Sequence, residues 1–152
     1  MRFLSYVFAA VAAVVVCGFQ PQALPPGFAG HIEAPEVLWD VLATATVKAD
    51  TAKGVYRATF PDAVKGYEGA SIKISGFFLP IETSTKPRHF ALSRRNLGCP
   101  FCPPSQPTEV IEVMATQGVA PNSDLITVEG RLRLVAESSQ GLFYRLEGAV
   151  EK

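Results

Sequence analysis

Two of the chain's three cysteines, Cys99 and Cys102, are separated by two residues within the stretch Arg94 to Pro107, which also holds four prolines. Thiolates at that spacing can turn toward a common point and hold a soft metal ion. They supply half of a tetrahedral zinc shell, which His89 together with Glu82 or Glu109 would have to complete. Copper(I) needs fewer ligands, so Cys99 and Cys102 aided by His89 or Met114 make the simpler metal site. The same spacing permits reversible thiol and disulfide exchange, with Arg94 and Arg95 as positive charges that favour a thiolate. Pro103 and Pro104 oppose a continuing thioredoxin-like helix after Cys102. A third reading is structural: the cysteines stiffen a proline-rich loop, leaving Arg94, Arg95, Leu97 and Phe101 as its contact side chains. So short a closure contributes little stability through chain entropy.

Other candidates are weaker. Ser93, His89 and Asp124 form a nominal nucleophile set, but no strand-to-helix nucleophile elbow accompanies them. Glu109, Glu112 and Glu129 fall on outward strand positions and need no catalytic role. His31 and Glu33 lie in a segment too rich in proline and glycine to fix a metal pair.

The elements that must position the cysteines read as β-strands. Val37, Trp39 and Val41 alternate and a β-branched run follows to Val47, which predicts an opening strand, although the alanines permit a short helix. Val55 to Phe60 is a second strand, and Pro61 to Lys65 has the composition of one helical turn. Ser71 to Leu79 is the clearest strand, with Ile72 and Ile74 on one face and Gly76 allowing a bend. His89 to Ser93 and Glu109 to Met114 flank the cysteine loop. Ile126, Val128, Leu132 and Leu134 alternate around Gly130, where curvature is expected. Leu142, Tyr144 and Leu146 share a face of the last strand, which is expected to pair antiparallel with the one before it.

At the N-terminus, Met1-Arg2 precedes an apolar run from Phe3 to Phe19. Residues 1–19 read as an export signal, with a retained membrane anchor as the alternative. Cys17 could be a lipidation site, but Val16 departs from the bacterial lipoprotein pattern and an ordinary apolar residue in a discarded signal explains it as well. With Cys17 removed, the even pair Cys99 and Cys102 suits an oxidising, periplasmic compartment. Residues 20–35 form a spacer, and residues 36–152 a single domain. Lys and Arg balance Asp and Glu at 14 each without a basic patch, which argues against nucleic acid as a partner.

Short strands with glycine bends predict an all-β domain, a small curled antiparallel barrel of OB-like form with a helical turn and a long Cys/Pro-rich loop; a small β-sandwich is the alternative. The chain resembles the bacterial exported and lipoprotein family called domain of unknown function 3299. The resemblance rests on Trp39, Gly76-Phe77-Phe78-Leu79-Pro80, Phe90-Ala91-Leu92-Ser93, Cys99 with Pro103-Pro104, Val128-Glu129-Gly130 and Gly141-Leu142. It implies a role at the cell envelope, in metal handling or in assembly. Cys99 matches the family cysteine, whereas the histidine that some family loops carry is absent here, so a family metal site does not carry over. The leading expectation is a non-enzymatic envelope binding or assembly domain whose Cys99/Cys102 loop meets a protein or a soft metal, copper(I) or zinc. A periplasmic thiol oxidoreductase and a purely structural exported domain are the alternatives.

Overall fold

The computed structural model describes residues 37–97 and 105–152. Its first element is a helix, α1 (Val37–Leu42), rather than the expected strand. Trp39 and Leu42, three positions apart, fall on one helical face and are both fully buried. The β-branched run begins only beyond that face, as β1 (Thr46–Asp50). β1 pairs antiparallel with β2 (Val55–Thr59) across a turn in which Gly54 adopts a φ of 66°. The short β7 (Glu137–Ser138) extends β2, giving a three-stranded sheet beside the main barrel. α2 (Asp62–Lys65) is the helical turn expected after Pro61.

The barrel consists of β3 (Ser71–Pro80), β4 (His89–Ser93), β5 (Val110–Ala115), β6 (Leu125–Leu134) and β8 (Tyr144–Glu151). Its order, β3-β4-β5-β8-β6, closes on itself because β6 also pairs with β3. The result is an OB-like closed barrel, and the sandwich alternative falls. The expectation of a wholly antiparallel barrel is corrected by β5 and β8, which run parallel from Glu112↔Arg145 to Ala115↔Ala149. Side-chain alternation fixes which face of a strand is inward but says nothing about its neighbour. β6 and β8 do pair antiparallel, with Leu132 opposite Leu146 and Leu134 opposite Tyr144.

Two glycines permit the strands to approach this closely. A Cβ at Gly76 would lie 2.6 Å from Leu92 Cγ and 2.8 Å from the Ser93 carbonyl oxygen. At Gly130, where the β6–β8 register shifts, a Cβ would meet the Glu147 carbonyl oxygen and Leu146 Cγ at 2.9 Å. Inside, Phe78 stacks on Phe90 with centroids 4.5 Å apart, among Ile74, Leu92, Ile111 and Val128. Tyr144 and Leu146 are fully buried on one face of β8, but the face expected to include Leu142 does not extend back to it: β8 begins at Tyr144, Leu142 is only partly buried and Phe143 is fully buried.

α1 packs into this core and is fixed by two buried-ring hydrogen bonds. Trp39 Nε1 donates to the Ser75 carbonyl at 2.8 Å, and the Tyr144 hydroxyl donates to the Leu42 carbonyl at 2.7 Å. Each aromatic thus buries its apolar body and satisfies its polar tip. Among the described residues no helix is long and apolar enough to cross a membrane. The segment 1–19, with Cys17, lies outside the described residues.

Candidate functional site

Cys99, Cys102 and Phe101 lie outside the described residues, so the site is built from the two chain ends that carry them. β4 delivers the chain at Ser93, and the chain returns at Ser105 before a 3-10 turn, Pro107–Glu109, that leads into β5. Ser93 Oγ and Ser105 Oγ are 2.6 Å apart, and Ser93 Oγ also reaches the Arg95 carbonyl at 2.9 Å. The 3-10 turn opens with a capping box in which the Gln106 amide donates to the Glu109 carboxylate at 2.9 Å. Pro107 suits this position because its missing N–H would have no partner in a first turn.

Glu109 is the hub of this foot. Its carboxylate accepts from Arg95 Nε at 3.2 Å and Nη2 at 3.4 Å, with Arg94 Nη1 3.8 Å away. Arg94 Nη2 donates in turn to Asp40 on α1 at 2.7 Å, which ties the helix to the foot. Glu109 is only 5% exposed, which corrects its expected outward placement. Burial alone would raise its pKa; the Arg95 hydrogen bonds, the Gln106 amide and the charges of Arg95 and Arg94 outweigh it and hold the carboxyl below its ordinary range. Arg94 and Arg95, expected as loop contacts, are therefore committed at least in part to Glu109 and Asp40. Leu97, the last described residue before the cysteines, is about half exposed.

A groove of about 340 Å³ opens beside the foot. Ser105, Pro107, Val110, Tyr56 and Leu142 line it, giving a mainly apolar surface where the chain returns from the cysteine segment.

His89 belongs to a separate cluster. It opens β4 while Ser93 closes it, so His89 stands four strand steps, about 13 Å, from the end leading to the cysteines. Its Nε2 lies 2.8 Å from Glu112 Oε1, and Arg145 Nε donates to the other Glu112 oxygen at 2.7 Å. Glu112 is buried, again contrary to its expected outward placement: Arg145 sits opposite it on β8, and His89 reaches it from β4. Burial would raise its pKa, but the hydrogen bonds and charges of Arg145 and His89 prevail and lower it. Glu82 lies 3.6 Å from His89 Nδ1, and Met114 is the exposed register partner of His89. Among the described residues no three His, Cys, Asp and Glu side chains are grouped to hold a metal ion. Ser93 is committed to the foot and His89 to Glu112, and neither is hydrogen-bonded to the other.

Glu109 and Glu112 are the site residues that strand parity missed. Glu109 carried a readable sign in Gln106-Pro107-Thr108-Glu109, a cap followed by proline and a glutamate three positions on. Glu112 carried none, since its partners come from β4 and β8.

No protein-family model matches the chain, and no curated protein matches it significantly. Among solved structures it is similar to a DUF3299 family protein from Pseudomonas aeruginosa PAO1, at 21% identity and a TM-score of 0.46, over 62% of this chain and 67% of that one.

Proposed function

We propose that this chain is a non-enzymatic binding or assembly domain of the bacterial envelope, whose Cys99/Cys102 loop contacts a protein partner or a soft metal ion, copper(I) or zinc. The observation that carries the reading is the foot: Ser93 and Ser105 meet at 2.6 Å, and buried Glu109 joins both sides of the connection to the barrel. A contact segment with fixed ends loses less freedom on binding, which favours recognition by a loop on a rigid scaffold. The apolar groove beside Ser105 supplies adjoining contact surface. The run from Phe3 to Phe19 supports export, and the spacing of Cys99 and Cys102 supplies the soft ligands.

Replacing residues 98–104 with a glycine-serine segment of equal length tests the reading. The replaced chain should fold, as read by circular dichroism, and lose both its cellular effect and any zinc or copper(I) retained in native mass spectra of the reduced protein. An unchanged cellular effect would leave only the structural reading. Catalytic disulfide turnover that disappears with Cys99→Ser or Cys102→Ser would identify an oxidoreductase instead.

A further inference from the structure

The cluster around His89 lies apart from the cysteine foot and has a chemistry of its own. A carboxylate held ionised by Arg145 can only accept, so the 2.8 Å contact to Glu112 requires the proton of the imidazole to sit on Nε2. In the neutral ring this leaves the Nδ1 lone pair available. Glu82 Oε1 stands 3.6 Å from that nitrogen, beyond hydrogen-bonding range. Two ligands on one zinc ion, each at about 2.1 Å in tetrahedral array, are separated by about 3.4 Å. The gap between Nδ1 and Glu82 is therefore close to the span that a metal ion bridges. Both side chains are reachable from solvent, at 27% and 48% exposed.

We propose that His89 Nδ1 and the Glu82 carboxylate form an open surface site for a divalent transition metal of the zinc class, with Glu112 and Arg145 as its supporting layer. An imidazole nitrogen with a carboxylate oxygen is a donor pair suited to zinc(II) or copper(II), in contrast to the thiolates of the cysteine loop. A histidine ligand whose other N–H is given to a carboxylate is the common arrangement at metal centres, because that bond fixes both tautomer and ring orientation. Glu112 performs this role from within the barrel wall and is itself anchored by Arg145. Glu82 comes from the β3–β4 connection and His89 from the first position of β4, so two nearby parts of the chain supply the ligands. With two ligands from this chain, the ion's other coordination positions would be left for water or for a donor from a second molecule.

The test is zinc binding by the full chain carrying Cys17→Ser, Cys99→Ser and Cys102→Ser, so that no thiol contributes. Calorimetry should show one equivalent of zinc bound. Affinity should fall at least tenfold in Glu82→Gln and to background in His89→Gln. Glu112→Gln should weaken it by about 10- to 100-fold if the chain remains folded. Nitrogen-15 spectra of the imidazole should show Nδ1 shifting on zinc addition while Nε2 keeps its proton. Binding that is absent from the thiol-free chain, equal in His89→Gln, or centred on Nε2 overturns the proposal. Glu82→Gln is an exposed change that keeps the test decisive should the Glu112 variant unfold. None of these results bears on the cysteine-loop reading, since the cysteines are removed throughout.

Discussion

Glu109 and Glu112 show what a carboxylate in a barrel wall requires. Each is removed from water and each regains its solvation from guanidinium groups and directed N–H donors. Removing one partner of such a pair strands the other. Glu109→Ala should therefore destabilise the domain by about 2–3 kcal/mol, below the figure for a fully buried pair because Arg95 remains a quarter exposed; the urea midpoint measures it. The pH dependence has a definite sign. Both carboxyls have folded pKa values below the ordinary 4.5, so their stabilisation is complete above that value and is lost as pH falls through the lower folded values. Wild-type stability should decline on acidification below about pH 4.5, and Glu109→Gln should flatten part of that decline in urea titrations at successive pH values. The sequence exposed these residues only partially. The capping pattern at Gln106 to Glu109 is local and could be read, whereas Glu112 is defined by residues 23 and 33 positions away.

At the scale of elements, α1 makes a larger contribution than its six residues suggest. Trp39 fills core volume and donates to β3, while Leu42 offers its carbonyl to Tyr144 on β8. Trp39→Ala should cost about 3–5 kcal/mol through cavity formation. Tyr144→Phe keeps the ring but leaves the Leu42 carbonyl without that donor, and should cost about 1–3 kcal/mol. Thermal unfolding of the two variants checks both magnitudes. Gly130→Ala should also destabilise, by about 1–3 kcal/mol, because its new methyl would press on the Glu147 backbone rather than on a movable side-chain end. The bend at Gly130 was legible from a glycine amid strict alternation. The helix was not, since Val37, Trp39 and Val41 satisfy the strand period while Trp39 and Leu42 satisfy the helical one, and only the barrel interior chooses between them.

For the whole molecule, closure depends on the three joins that involve β6 and β8. β6 pairs with β3 to seal the barrel, and β8 inserts between β5 and β6 with opposite senses on its two sides. The strand segments themselves were readable from alternation, but the parallel join lies between elements distant in sequence and leaves no local signature. Because α1 packs into the closed interior, a chain beginning at Ala43 should lose Trp39 and Leu42 together and fail to fold. The loss approaches the 5–15 kcal/mol total stability typical of a domain, roughly one large cavity plus another. Circular dichroism of that truncation beside a chain beginning at Pro35 provides the check, with a cooperative transition expected only for the longer chain.

The paired serines at the foot also make the domain a natural display scaffold. Ser93, Ser105 and Glu109 anchor the connection from outside residues 98–104, so a foreign peptide grafted there would inherit ready-made attachment points. Doubling a flexible insert in length adds only about 0.6 kcal/mol of closure entropy. The barrel should accordingly tolerate cargo of widely different length at this position without surrendering its fold.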